Sequence, residues 1–461
     1  MYRGLYVAIA IALALGAATA APDAGALALD RFAGTRILHD RSIPLHLGRE
    51  TFTAVGAYNG GLGWLGALVV DALWLGGSTL AHLGSLLATF VTFAFVELRA
   101  RRTAGRGVAL AAVVLAAACA PGSLGIAGGI VTAAFAAALA YVLDRPGPRA
   151  TLGATLLAVV WCNVAPQGLL APAIAACVAA ETTFKPLDRA DRRAVAERRW
   201  ARVACAGTLL ATLATPAFVA YPALALKALR IDGPLFGVVE FHPVDVAMLA
   251  YRIGFTLVVV AAFGLGITRA GAIPLLVLGA LLALLNGSYV VVFGALAAPL
   301  VAAAAANAWP KLATIATGSV RGDVLAGACA LTLAVAFVWI FPRPQAVSGG
   351  YALAASLGAD GRAHRLFCSE VDWCNAALAA SPLERVFMDG RVAGYPPQIW
   401  NAQVDISRFR KSWRDRLEQF RIDAVLAPED GPLAGLLVLA PGWHALASNE
   451  TSALYVRDPI R

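Results

Sequence analysis

The chain has 461 residues, 59% of them hydrophobic and only 14% charged, where ordinary soluble domains carry roughly a quarter charged residues. That composition excludes a water-soluble enzyme and indicates a chain that crosses a membrane many times. The formal charge of +9 does not require nucleic acid as a partner, because basic excess in such chains collects in cytoplasmic loops.

In chain order, the first apolar segment, 6–21, follows Met1-Tyr2-Arg3 and reads as an uncleaved anchor, with a cleaved signal peptide as the alternative. Then comes the longest polar interruption in the first three quarters of the chain, an expected outside loop over 22–61. It carries Asp23, Asp30, Arg31, Arg36, His39, Asp40, Arg41, His46, Arg49 and Glu50. Residues 61–77 are apolar but short, punctuated by glycines and by Asp71, and read as a surface-lying or re-entrant helix. Spans are expected over 78–96, 108–120, 124–143, 152–164, 169–180, 204–224, 246–266, 273–285, 289–306 and 324–341. The expectation is about eleven spans, with the N-terminus inside and the C-terminus outside.

Charge placement supports this orientation. Expected inside segments from Arg99 onward hold sixteen Lys and Arg, including the clusters 99–106 and 185–202, whereas the outside loops hold six. From about residue 350 the composition becomes that of a soluble domain. Strand-like runs at 364–367, 385–388, 423–426 and 453–456 alternate with helical stretches at 403–420 and 432–439, which predicts a small α/β sheet able to fold on its own. The expected division is a multi-span membrane module over 1–345 and a periplasmic α/β domain over 346–461.

Cys119, Cys162, Cys177, Cys205 and Cys329 sit in or beside apolar spans and read as packing residues. Cys368 and Cys374 lie in the outside domain, where a disulfide closing a short loop is expected. No CxxC pair or His/Cys cluster indicates a metal. There is no phosphate-binding loop for ATP, no nucleophile elbow and no nucleic-acid motif.

Several motifs then fall in a telling order: Gly34, Ile37-Leu38, Ile43-Pro44, Phe52-Thr53 and Gly63-Trp64-Leu65 in the first loop; Trp161 and Asn163; Pro216; Glu240; Asp389-Gly390-Arg391, Tyr395-Pro396 and Trp400. With an outside first loop, a surface-lying helix and an outside C-terminal domain, the chain resembles the GT-C glycosyltransferases, and within them a bacterial group related to protein mannosyltransferases. The family's acid-x-acid pair is replaced here by Ala24-Gly25-Ala26, and the His after its Trp-x-Asn by Ala165. The acidic function is therefore shifted to Asp23 or Asp30, or lost.

The resemblance implies inverting sugar transfer from a polyprenyl-phosphate donor to an envelope glycan, lipid or protein, at the outer face of the bacterial inner membrane. A first-loop carboxylate would act as base and cations would stabilise the departing phosphate. Asp30 and Asp40 are the candidate bases; solvated pairing with neighbouring arginines is the plainer alternative. Arg252, several residues into an apolar run, is the candidate phosphate ligand, against simple snorkelling, with Arg230 and Lys227 assisting. Glu240 and His242 would orient the acceptor, or a divalent metal with Asp30, although no cofactor is required by the sequence. Asp71 points into the cavity or into water. A non-catalytic scaffold of the same fold in envelope polysaccharide assembly is the alternative. A transporter is disfavoured by the lack of repeat symmetry.

Overall fold

The computed structural model describes residues 24–75, 77–120, 129–184, 191–229, 273–285, 289–308, 349–357, 364–381 and 385–458. The expected spans 6–21, 246–266 and 324–341 lie outside the described residues, as do Asp23, Arg230, Glu240, His242 and Arg252.

The first loop is not a loop throughout. Its first half is helix α1 (Ala24–Asp40). The charges that suggested a loop leave buried Leu27, Gly34 and Ile37 on one face, a spacing of seven and three that suits a helix laid on a partner. That partner is α2 (Trp64–Leu75), the expected surface-lying helix. The two approach closely at Gly34, where a Cβ would come within 2.5 Å of the Ala67 carbonyl oxygen.

The helical bundle continues with α3 (Gly77–Arg101), α4 (Arg106–Ala118), α5 (Gly129–Leu143), α6 (Pro148–Val164), α7 (Leu170–Phe184) and α8 (Arg192–Ala211). The expected span 204–224 is displaced. Asp191 caps α8 through Arg193 N at 2.9 Å and Ala194 N at 3.2 Å, so the helix begins well before residue 204. It ends at Ala211, and a separate helix α9 (Tyr221–Leu229) follows the turn at Pro216. α10 (Ile273–Leu285) has the expected bounds, and α11 (Val290–Ala308) follows. Among the described residues α11 alone is long and apolar enough to cross a membrane, with a mean hydropathy of 2.0; several shorter apolar helices accompany it. The core consists mainly of alanine, valine and leucine from α3 to α8, α10 and α11.

The two ends of the bundle differ. At one, Arg99 donates to Asp144 at 3.0 Å, Arg102 to Tyr141 O at 2.6 Å, Thr151 to Trp200 O at 3.3 Å and Arg198 to Thr182 O at 3.1 Å. These bonds gather basic clusters from three stretches of sequence at the start of α6. At its other end, Asn163 accepts from Trp64 Nε1 at 2.7 Å. The twelve residue steps from Thr151 to Asn163 span about 18 Å of helix, so the first loop and the described basic turns lie at opposite ends.

The C-terminal part comprises α12 (Gly349–Leu357), β1 (Arg365–Cys368), α13 (Val371–Ala380), β2 (Arg385–Val386), α14 (Pro397–Ser407), α15 (Trp413–Gln419), β3 (Ala424–Pro428), α16 (Pro432–Val438), β4 (Trp443–Ser448) and β5 (Ser452–Arg457). The order in the sheet is β2-β1-β3-β5-β4. β1 is parallel to β2 and β3, and β5 runs antiparallel to β3 and β4. Cys368 and Cys374 are disulfide-bonded, with Cα atoms 5.7 Å apart.

This sheet does not keep its core to itself. First-loop residues Leu47 and Ala54 are buried among Phe367, Phe387 and Tyr395. Thr51 bridges Val386 in parallel fashion, with Val386 N donating to Glu50 O at 2.8 Å. The loop thereby covers the β2 edge of the sheet, which removes unpaired backbone groups there.

Candidate functional site

A cavity of about 840 Å³ opens between the bundle and the C-terminal part. Its shaft is apolar. α3 supplies Leu87, Val91 and Phe95, α5 supplies Val131, Phe135 and Val142, and α6 supplies Gly153 and Leu157. Repeats of four and seven residues put each set on one helical face. From Val164 at the mouth to Gly153, the α6 wall is about 17 Å long, the length of a stretch of lipid chain. The mouth is polar, with Asp30 from α1, Asn59 from the first loop, Gln167 from the turn after α6, and Arg391 from the C-terminal part.

Each wall at the mouth has a local cause. Asn59 is fixed by its N–H to Leu45 O at 2.8 Å, and Gly60, Gly61 and Gly63 follow at φ +68°, +62° and +72°. Only glycine accepts three such values cheaply, and this turn reverses the chain into α2. Gly66 then lies against the Val164 carbonyl so closely that a Cβ would collide with it. Trp161 stacks on Phe135 with centroids 5.5 Å apart, which steadies the shaft. Asn163 Nδ2 donates to Val159 O and to Ala214 O, both at 2.8 Å, while its carbonyl holds Trp64. The Trp-x-Asn motif thus ties α2, α6 and the end of α8 together.

Arg391 arrives through the turn Asp389-Gly390-Arg391. Asp389 is fully buried, and its Oδ1 accepts from Arg391 N at 2.8 Å and from Arg391 Nε at 3.1 Å. Gly390 N donates to Asn375 Oδ1 at 2.9 Å, and a Cβ on Gly390 would touch Leu29 of α1. Arg391 Nη2 also pairs with Glu50 Oε1 at 3.0 Å, and Arg36 Nη1 reaches the same oxygen at 2.7 Å. The chain of charges Arg36, Glu50, Arg391 and Asp389 staples α1, the first loop and the C-terminal part. Burial pushes the Glu50 carboxyl up. Arg391, its own and the Gly48 backbone N–H groups, and Arg36 more than reverse this and hold it below the usual glutamate range. Lys227 Nζ adds a second fastening, donating to Ala393 O and Tyr395 O, each at 2.7 Å. Burial pushes its pKa down.

Of the expected site residues, Asp30 lines the cavity mouth. Asp40 sits at the exposed end of α1, where His39 at 2.9 Å and Arg36 at 3.4 Å accompany it, and it is not among the cavity-lining residues. The hydrogen bond to His39, opposed by slight desolvation and helped by Arg36, holds its carboxyl below the usual range. Asp71 faces neither cavity nor water; it is buried between α1 and α2 and accepts from Thr35 Oγ1 at 3.1 Å. Arg230, Arg252, Glu240 and His242 fall outside the described residues, and no group of three or more potential metal ligands occurs among those described. Asn59 was missing from the expected site, and Arg391 was expected chiefly as a turn residue set against the membrane module, with substrate selection as the alternative. The Asp-Gly-Arg turn and the glycine run after Asn59 were their only signals in the sequence.

The fold is that of a helical bundle with a small C-terminal sheet, and it is similar to that of a solved oligosaccharyltransferase. The archaeal oligosaccharyltransferase AglB from Archaeoglobus fulgidus, solved in complex with an inhibitory peptide and a dolichol-phosphate, superposes with a TM-score of 0.52 at 11% sequence identity. The match covers 98% of this chain and 74% of that one, so it concerns the whole architecture. At that identity it is a likeness of fold. No family model matches the sequence, and no curated protein matches it.

Proposed function

We propose that this protein is a GT-C-type membrane glycosyltransferase that transfers a sugar from a polyprenyl-phosphate donor to an acceptor of the bacterial cell envelope. The observation that carries the reading is the cavity, with an apolar shaft of lipid-chain dimensions and a polar mouth containing Asp30. The likeness to an oligosaccharyltransferase solved with a dolichol-phosphate supports it. A scaffold would have no need of such a space, and tight packing is the default in protein interiors.

In this reading the polyprenyl chain lies in the shaft and the sugar at the mouth. An acceptor hydroxyl oxygen bonds to the anomeric carbon from the face opposite the phosphate. The bond from that carbon to the phosphate oxygen breaks, and its electron pair leaves with the polyprenyl phosphate. Asp30 takes the hydroxyl proton. Arg252 and Arg230 belong to the proposal as phosphate ligands, and Glu240 and His242 as acceptor-orienting groups. Asp40, remote from the cavity lining, is the weaker candidate base.

The proposal also sets the protein in the inner membrane with about eleven spans. The arginine-rich end faces the cytoplasm, and the cavity mouth and the α/β domain over 346–461 face the periplasm. The Cys368–Cys374 bond fits an oxidising compartment.

The test compares Asp30→Asn with Asp40→Asn in cells, reading envelope glycans by mass spectrometry at matched protein levels. Removal of a general base is expected to slow transfer about 10²- to 10⁴-fold in Asp30→Asn and to leave Asp40→Asn near wild type. Unaltered glycans in the Asp30→Asn strain would overturn the assignment.

A further inference from the structure

Resting on the donor-cavity reading, we infer that Asn59 and Arg391 form a sugar-reading seat at the cavity mouth, positioning the hydroxyls of the donor sugar rather than its phosphate. Asn59 lines the cavity and is only 6% exposed, yet its side-chain amide makes no hydrogen bond among the described residues. Buried amides are nearly always paired, so one left open at a cavity wall is poised for a ligand. It is held rigidly. Its backbone is bonded to Leu45, three left-handed glycine positions follow within four residues, and Gly394 packs against its Cβ from the C-terminal part.

Arg391 is held just as firmly from the opposite direction. Nε and Nη2 are engaged by Asp389 and Glu50 and the guanidinium carbon lies 5.7 Å from the centre of the Phe32 ring, whereas Nη1 has no hydrogen bond among the described residues and Arg391 is one of the residues that line the cavity. An amide that both donates and accepts, on the wall of the same cavity as a fixed guanidinium, matches the alternating donors and acceptors of a sugar ring.

The charges argue against a phosphate at this spot. Asp389 and Glu50 balance Arg391 and Arg36 within the staple, and Glu50 stays ionised because its pKa is lowered. A phosphate dianion here would meet two carboxylates behind a guanidinium they already neutralise, whereas hydroxyls would meet open hydrogen-bonding groups. The C-terminal part is therefore one wall of the site, and donor selectivity depends on it.

The experiment measures binding of two kinds of probe to the full-length protein in lipid nanodiscs: polyprenyl phosphate alone, and polyprenyl phosphate bearing mannose, glucose or arabinose. In the wild type, at least one sugar-bearing probe should bind about tenfold more tightly than the bare lipid phosphate. Asn59→Ala should reduce that probe to the bare-lipid level while leaving bare-lipid affinity unchanged. Arg391→Lys, which keeps the charge and loses the planar fork, should do the same; if it fails to fold, Asn59→Ala decides alone. Equal weakening of both probes, or no preference for any sugar in the wild type, would overturn the seat and leave the lipid cavity standing. If the wild type binds neither kind of probe, the donor-cavity reading fails and the seat with it.

Discussion

Two buried arginines, one at each end of the bundle, are built from the same chemistry and put to different use. Arg99, 5% exposed, lies at the basic end; it donates to Asp144 at 3.0 Å and to Leu296 O of α11 at 3.3 Å. Pro299 lies inside α11 and has no N–H for Ala295 O, one residue before the carbonyl that Arg99 meets. Arg391, at the other end, is clamped by Asp389 and Glu50 but borders a cavity. The lesson is that a buried ion pair alone does not mark a site. The arginine that meets carboxylate and main chain locks helices together, and the one that keeps an edge toward empty space is placed to meet a ligand.

The comparison breaks most sharply on Arg99→Ala. Arg99→Ala removes a buried guanidinium and its bonds to Asp144 and Leu296 O, while Asp144 keeps Arg102 at 3.8 Å, a loss of about 2–3 kcal/mol. Thermal unfolding in detergent should show a large fall in Tm, whereas Asp30→Asn should lose transfer at nearly unchanged Tm. Equal stability of Arg99→Ala and wild type would show that the basic-end arginine is not structural.

Next in size is Gly66→Ala. Its new Cβ meets the Val164 main chain, which has no flexible end to move aside, so α2 must shift off α6 at a cost of about 1–3 kcal/mol. Because Gly66 and Val164 both line the cavity mouth, donor affinity should fall together with Tm. Trp64→Phe should cost about 1 kcal/mol or somewhat more, since it leaves the Asn163 carbonyl, 8% exposed, without its donor. An unchanged melting profile in that variant would mean that the Trp-x-Asn motif does not fasten α2 to α6.

Local pattern revealed much of this architecture. The bounds of α10, the short helix α2 and the positions of β1, β3 and β5 follow from apolar runs and turn residues, because those signals act over a few residues. The order Gly34, Gly63-Trp64, Trp161-Asn163 carried real information, for Gly34 lies against α2 at Ala67 and Trp64 bonds to Asn163. β4 was missed because it is an edge strand with most of its side chains exposed, so it shows no apolar alternation. The expected helix over 403–420 is broken into α14 and α15, with Phe409 between them at φ +36°. Of the candidate site residues that the structure describes, Asp30 alone lines the cavity. Arg391 enters it through bonds such as Thr53 Oγ1 to Phe387 O, which join residues more than 300 positions apart. No window along the sequence contains that contact.

The smallest expected effect separates the two ends by pH. Glu50 has a lowered pKa in the folded protein, because Arg391, backbone N–H groups and Arg36 outweigh the burial that raises it. Its contribution to stability is therefore fully present above the unfolded glutamate value of about 4.3 and is lost as pH falls through the lower folded value. Below that window the staple carries two arginines against one fewer carboxylate, so the segment from Gly48 to Thr53 should loosen from β2. Limited proteolysis or hydrogen exchange of that segment should rise on acidification in the wild type. In Glu50→Gln the carboxylate is absent at every pH, so the segment should be looser already at neutral pH and should lack this acid-dependent step. Identical pH profiles for the two proteins would show that the Glu50 charge does not hold the first loop against the sheet.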